Sequence, residues 1–187
     1  MNVYDFDKTI FYPDSSACFF RYCLKRRPGQ VLRVLPRALL MALQYRAGKC
    51  SAKELKQQLF SFLSHVRDAG ALINDFWVKN FFRIGDWYLI QKRPDDVIIS
   101  ASPDFLLRPV CEKLGVRLIA TDMDIQSGLI RGENCHDVEK PKRFKQEYPV
   151  ALVEAFYSDS LSDAPMAALA ESAFLVKKHR LYPWPGR

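Results

Sequence analysis

The sequence predicts an α/β fold in three layers, a parallel sheet with helices on both faces, with a helical cap inserted after the first strand. Three observations predict it. After Pro94, short apolar strands alternate with helical segments, the rhythm that builds parallel sheets. Directly behind the first strand a long helical stretch interrupts that rhythm. Polar, reactive side chains stand at the carboxyl ends of three strands, the edge at which open α/β sheets bind ligands. The expected division is residues 1–12 and 86–187 for the α/β core and 13–85 for the cap.

Asn2–Phe6 is short, β-prone and followed by a polar break, so it reads as the first strand. From Ser15 to about Gln91 apolar residues recur at helical spacing, with Phe19, Tyr22 and Cys23 on one face and Leu55, Leu59, Phe62 and Leu63 on another. Breaks are expected near Pro28–Gly29, Gly48, Gly70 and Gly85. Ser51 followed by Glu54 reads as a capping box. Val97–Ala101 is a buried-type strand, and Pro103 opens a helix that Gly115 ends. Val116–Ala120 is the next strand and 122–133 a hairpin around Ser127–Gly128. Lys140–Glu147 reads as a short helix, Glu154–Ser158 as a strand, Ala164–Glu171 as a helix and Ala173–Lys177 as a final strand.

Composition narrows the function classes. The chain has 187 residues, 49% of them hydrophobic, enough for a real core. Five cysteines without a CxxC pair support neither a disulfide framework nor a zinc knuckle. Free thiols in a reducing cytoplasm are the expectation. Asp5 and Asp7 stand where a secretory leader would be apolar, so none is expected. The net charge of +7 is uneven: residues 21–67 hold eleven Lys and Arg against one acid, Glu54. Such a local field favours an anionic partner; a solvated helical face is the plainer alternative.

Asp5-Phe6-Asp7-Lys8-Thr9, Ser100-Ala101-Ser102 and Ser158–Asp163 close three of the strands. Asp5 and Asp7 are two apart, so both carboxylates can face one side of a strand. Two acids forced together repel, and a divalent cation relieves that. With Asp159 they make an oxygen-rich set suited to magnesium. Asp5 is the candidate nucleophile, as carboxylates are in aspartyl-phosphate chemistry. Asp7 is the candidate general acid and later base. The Ser100 hydroxyl, nearby N–H groups such as that of Ala101, Thr9 and Lys140 are the candidate phosphate-binding groups.

Taken in order, these segments resemble the haloacid dehalogenase superfamily: DxDxT at Asp5–Thr9, a hydroxyl residue after a hydrophobic strand at Ser100, a lysine at Lys140, and an acidic pair at Asp159 and Asp163. The resemblance runs from residue 2 to about residue 177, apart from the cap. It implies a Rossmann-like sheet in the order 3-2-1-4-5, Mg2+ as cofactor, and phosphomonoester hydrolysis through an aspartyl-phosphate. The stretch with Gly128, Gly132, Asn134, Cys135, Glu139 and Lys140 is similar to subfamily IB, which includes phosphoserine and phosphatidylglycerophosphate phosphatases. Two departures stand out. Ser158 replaces a frequent glycine, and Asp14 lies nearest to the glutamate with which phosphoserine phosphatases hold the substrate ammonium.

Plainer readings stand beside these. Asp163 suits a helix N-cap as well as an acid orienting Lys140. Cys135 and His136 lack zinc spacing, so hairpin packing is expected. Trp77, Phe81, Phe82, Trp87 and Tyr88 read as core packing rather than a base-stacking surface, and nucleic acid is not expected as a partner. Residues 21–46 are either an interfacial helix meeting anionic membrane or a hairpin buried in the cap, with burial favoured. The expected partner is a small phosphorylated metabolite. The alternatives are a lipid phosphate at the membrane surface, a phosphotransferase, or a non-catalytic anion-binding module.

Overall fold

The computed structural model describes residues 1–186. Strand β1 (Asn2–Tyr4) leads into five helices: α1 (Ser15–Arg26), α2 (Pro28–Arg46), α3 (Ala52–Phe60), α4 (Ala69–Asn80) and α5 (Asp86–Gln91). Then follow β2 (Val97–Pro103), α6 (Asp104–Leu114), β3 (Arg117–Thr121), α7 (Glu139–Glu147), β4 (Val153–Ser158), α8 (Ala164–Ala167), β5 (Ala170–Lys177) and β6 (Arg180–Pro183). One sheet runs β3-β2-β1-β4-β5-β6. The first five strands are parallel, and β6 adds an antiparallel edge. The expected order 3-2-1-4-5 is therefore present, extended by one strand.

Alternation along the strands makes the three layers. Tyr4 and Ile98 enter a core shared with Phe76, Trp77, Tyr88, Leu106 and Val110 of α4, α5 and α6. Val3, Val97, Ile99 and Phe156 enter the opposite core, closed by Phe144 of α7 and Met166 of α8. Val3 pairs with Val97 on one side and Phe156 on the other, so β1 is the central strand. The loops behind β1, β2 and β4 therefore open side by side.

The local signals explain most of the elements. Ser51 and Glu54 form the capping box at the start of α3. Gly115 takes a left-handed C-cap with φ 69° after α6, which a side chain resists. Hairpin 122–133 forms around a Met123–Ile130 bridge.

Three local points refine the sequence reading. The break expected near Gly70 falls just before it, where Asp68 caps α4, and Gly70 sits in the first turn of that helix. The helix expected over Ala164–Glu171 is only α8, because pairing of Val153 with Ala170 and Ala155 with Ser172 draws that segment into β5. Strand β6 was not expected. Its turn uses Lys178 and His179 at φ 48° and 64°, positions that usually carry glycine or asparagine.

Candidate active site

The loop behind β1 carries the first group of reactive side chains. Asp5 still belongs to the sheet, since its N–H donates to the Tyr157 carbonyl of β4 (2.8 Å). Lys8 then takes a left-handed backbone, φ 58°, and turns the chain sharply after Asp7. The Ile10 and Phe11 N–H groups both return to the Phe6 carbonyl, closing the loop. Phe6 and Phe11 anchor it by packing on Trp77 of α4.

Lys140 reaches this loop from α7. It lies four residues before Phe144, on the same helical face. Phe144 fixes that face in the core, and Lys140, only 2% exposed, extends over the sheet edge. Its Nζ donates to Asp5 Oδ1 and to Asp163 Oδ2, both at 2.7 Å. Asp163 also accepts from Ser158 Oγ at 2.7 Å. The Asp163 side chain makes no N-cap bond to α8, so of its two expected roles the contact with Lys140 is the one present. Burial alone would lower the Lys140 pKa, but the two carboxylates outweigh it and hold the ammonium above its ordinary value. Burial pushes the Asp5 carboxyl up, and Lys140 opposes that shift.

Thr9 joins the loops of β1 and β4. Its hydroxyl donates to Asp5 Oδ2 (3.3 Å) and accepts from the Asp159 N–H (2.9 Å). Thr9 is buried beneath the site rather than lining its opening. Asp159 takes no hydrogen bond from any side chain among the described residues. Burial raises its carboxyl, with Lys8 at the rim opposing.

Asp7 is held differently. Its Oδ1 accepts from the Ser15 N–H at the start of α1 and its Oδ2 from Ser102 Oγ at the end of β2, both at 2.5 Å. Burial, then the charge of Asp14, pushes the Asp7 carboxyl up to about 6. Asp14 accepts from the Ala17 N–H at 2.8 Å and so caps α1, while also lining the cavity. Ser100 is buried, and its Oγ accepts from the Ser102 N–H (3.1 Å).

Asp5, Asp7, Asp14, Ser100, Ala101, Lys140, Asp159 and Asp163 thus line one cavity of about 300 Å3. A larger groove of about 1000 Å3 lies between α6 and α7, and Arg108–Asp104 and Arg143–Glu139 ion pairs stand in it. Nothing in it is poised as a nucleophile.

Several cavity-lining groups were not among the expected site residues. Lys56 of α3 enters the cavity and donates to the Ala101 carbonyl and to Asn134 Oδ1, both at 2.6 Å. Burial pulls its pKa down to about 8. Ser16, Ser102 and His136 also line the cavity. Ser102 sits two residues past Ser100, the one positional hint available. Lys56 was one of eleven basic residues in its segment, with nothing to mark it. Cys135 is buried in the core, as its lack of zinc spacing implied.

Magnesium asks for few protein ligands: one or two carboxylates, with water and substrate phosphate filling the rest. No group of three or more His, Cys, Asp or Glu is gathered for a metal among the described residues. Two carboxylates facing one cavity satisfy the smaller demand. Among the described residues the Asp159 carboxylate takes no side-chain hydrogen bond, and burial raises Asp5, Asp7 and Asp159 alike. A cation among them relieves that crowding. The residues present fit the ion.

A family model described as haloacid dehalogenase-like hydrolase matches residues 3–168. Protein CicA of Caulobacter vibrioides is 27% identical over 186 residues, covering 90% of this chain and 82% of that protein. A solved structure of a protein of unknown function from Bordetella pertussis Tohama I superposes with TM-score 0.76 at 20% identity, over 100% of this chain and 91% of its own. A phosphoserine phosphohydrolase-like protein from Francisella tularensis superposes with TM-score 0.60 at 14% identity, over 96% of this chain and 88% of its own. These structural likenesses speak to the fold.

Proposed function

Because this chain belongs to the haloacid dehalogenase-like hydrolase family, we propose that it is a magnesium-dependent phosphomonoesterase working through an aspartyl-phosphate on Asp5. The observation that carries the reading is Lys140, buried between Asp5 and Asp163 at 2.7 Å from each, in a cavity also lined by Asp7, Ser100 and Asp159. A lysine so held orients one carboxylate and leaves a dense positive charge beside it.

Asp5 and Asp159 present the carboxylates that would hold the ion, with Asp7 joining through a lone pair that its two hydrogen bonds leave free. The ion supplies charge screening between nucleophile and phosphate. Asp5 attacks phosphorus as the bond to the alcohol oxygen breaks. Asp7, whose carboxyl raised to about 6 leaves a minor protonated fraction near neutral pH, gives that proton to the departing oxygen. The same group, now ionised, takes a proton from the water that opens the aspartyl-phosphate. Lys140, the Ser100 hydroxyl and the Ala101 N–H hold the phosphoryl oxygens, while Thr9 fixes Asp5 against the β4 loop. Residues 13–85 act as the cap that selects the ester.

A second reading concerns the alcohol, and one observation favours it. An apolar recess of about 390 Å3, walled by Phe20, Leu55, Leu59 and Phe60, shares Asp14, Ser16 and Lys56 with the catalytic cavity. That wall suits an ester with an apolar alcohol, a lipid phosphate included, better than the zwitterionic head of phosphoserine.

The test is turnover of an aryl phosphate with magnesium, followed by acid quench and peptide mapping. Label on Asp5 that builds up in Asp7→Asn, with no turnover by Asp5→Asn, is the expected result. Equal turnover by Asp5→Asn and the natural chain would overturn the mechanism. Transfer to added alcohols in place of water would reassign the protein as a phosphotransferase. Phosphate binding with no turnover at all would make it an anion-binding module.

A further inference from the structure

Helix α2 solves its packing problem on one side only. Val31, Val34 and Ala38, at positions i, i+3 and i+7, face inward and are buried. The opposite face is apolar as well. Leu32, Leu39, Leu40 and Leu43 recur at i, i+7, i+8 and i+11 and are 53%, 59%, 55% and 65% exposed. Helical geometry puts these four leucines in one stripe along the outside of the cap. Arg33 and Arg37 flank one side of the stripe and Arg46 the other end, all exposed. None of the three forms an ion pair among the described residues.

A stripe of exposed leucines this long needs an occupant. Charge decides which. The segment 21–67 carries eleven basic residues and one acid, so a second copy of the chain would bring like charge against like. A nucleic acid would meet the arginines but offer the leucines nothing apolar. An anionic bilayer answers both features: acyl chains accept the leucines, and headgroups accept arginines whose stems lie along the apolar face. Among the described residues no helix is long and apolar enough to cross a membrane. Contact along the surface is the geometry left to α2.

We propose that the outward face of α2 docks this protein onto an anionic lipid surface, with Leu32, Leu39, Leu40 and Leu43 inserted and Arg33, Arg37 and Arg46 at headgroup level. The proposal uses no catalytic residue and stands apart from the phosphatase reading.

The experiment is co-flotation of the full chain with vesicles of phosphatidylcholine alone and of equimolar phosphatidylcholine and phosphatidylglycerol. Binding to the anionic vesicles alone, weakening as salt is raised, is expected. Arg33→Gln with Arg37→Gln should weaken it about twenty-five-fold, roughly fivefold for each arginine. Leu39→Asp with Leu43→Asp should abolish it. Both variants should keep the natural chain's circular dichroism, melting point and aryl phosphate turnover, because these side chains face solvent. Equal binding to both vesicle types, or to neither, would overturn the proposal. So would a dimer in solution that Leu39→Asp disperses, which would make the stripe a self-interface. Tighter binding to nucleic acid than to anionic vesicles would also overturn it.

Discussion

Replacing Lys140 by methionine separates what the buried lysine does for the fold from what it does for chemistry. Nζ lies 2.7 Å from Asp5 and 2.7 Å from Asp163. At an effective dielectric of about 20, each contact is worth about 6 kcal/mol of gross attraction. Burying three charges costs several kcal/mol apiece, so the intact triad nets little. Methionine fills much of the same volume but leaves two carboxylates, 7% and 2% exposed, without a cation. Breaking such a pair costs about 3–5 kcal/mol, a large share of the 5–15 kcal/mol typical of a domain. The loss should depend on pH. An unfolded carboxyl titrates near 4, whereas in the folded variant burial unopposed by Lys140 raises Asp5. The folded state then binds more protons than the unfolded, so stability falls as pH rises, by about 1.4 kcal/mol per unit through the titration of Asp5. Urea unfolding followed by circular dichroism at about pH 5 and about pH 8 should show the variant closest to the natural chain in acid, where Asp5 is protonated. Adding Asp163→Asn, which keeps an acceptor for Ser158, should restore part of the loss at the higher pH. A variant as stable as the natural chain at the higher pH, or more stable there than in acid, would refute the triad as the organiser of the site.

Three further outcomes follow from the same geometry. With the Asp7 carboxyl near 6, its protonated fraction drops tenfold per pH unit above that value. Turnover of an alkyl phosphate should fall accordingly, while p-nitrophenyl phosphate, whose leaving group needs no proton, stays flat; superimposable profiles would take Asp7 out of the acid role. Lys56→Met removes two charge-assisted hydrogen bonds, to the Ala101 carbonyl and to Asn134 Oδ1, and leaves each acceptor with the Thr121 hydroxyl as its donor, at a cost of about 1–3 kcal/mol. Because burial holds the Lys56 pKa at about 8, below the unfolded value of about 10.4, the natural chain should gain stability as pH climbs between the two, and the variant should show no such gain in thermal melts. In Gly128→Ala the new methyl would stand 2.6 Å from the Phe60 carbonyl group on a backbone at φ 73°. A loss of about 1–3 kcal/mol is expected, and a melt indistinguishable from the natural chain would mean that the hairpin does not press against α3.

The sheet could be read because each parallel strand is a short apolar run between strong punctuators. Val97–Ile99 precedes a polar turn, and Gly115 stops α6 by a conformation few other residues adopt. Strand β6 escaped because its turn places Lys178 and His179 at positive φ, where no residue type announces a hairpin. The α8 segment misled because alanine favours helix locally, while pairing with β4 is a long-range fact. The cavity divides the same way. Asp5, Asp7, Ser100, Lys140 and Asp159 were marked by residue type and by their place at strand ends. Lys56 was not, since its position depends on where α3 lies over β2.

Helix α2 shows the limit most clearly. A 3.6-residue period tells which positions share a face, but α2 is apolar on two opposite faces, so periodicity alone left burial and interfacial contact as rival readings. The fold makes them compatible. Val31, Val34 and Ala38 are buried, and the leucines opposite remain in solvent beside arginines that form no ion pair among the described residues. A helix built only to close a cap would gain solubility from polar residues on its outer face. Four leucines there, with arginine rather than acid as their neighbours, cost solubility unless another phase receives them. That asymmetry, not the helix's hydrophobicity as a whole, is the argument that the cap has an outside function as well as an inside one.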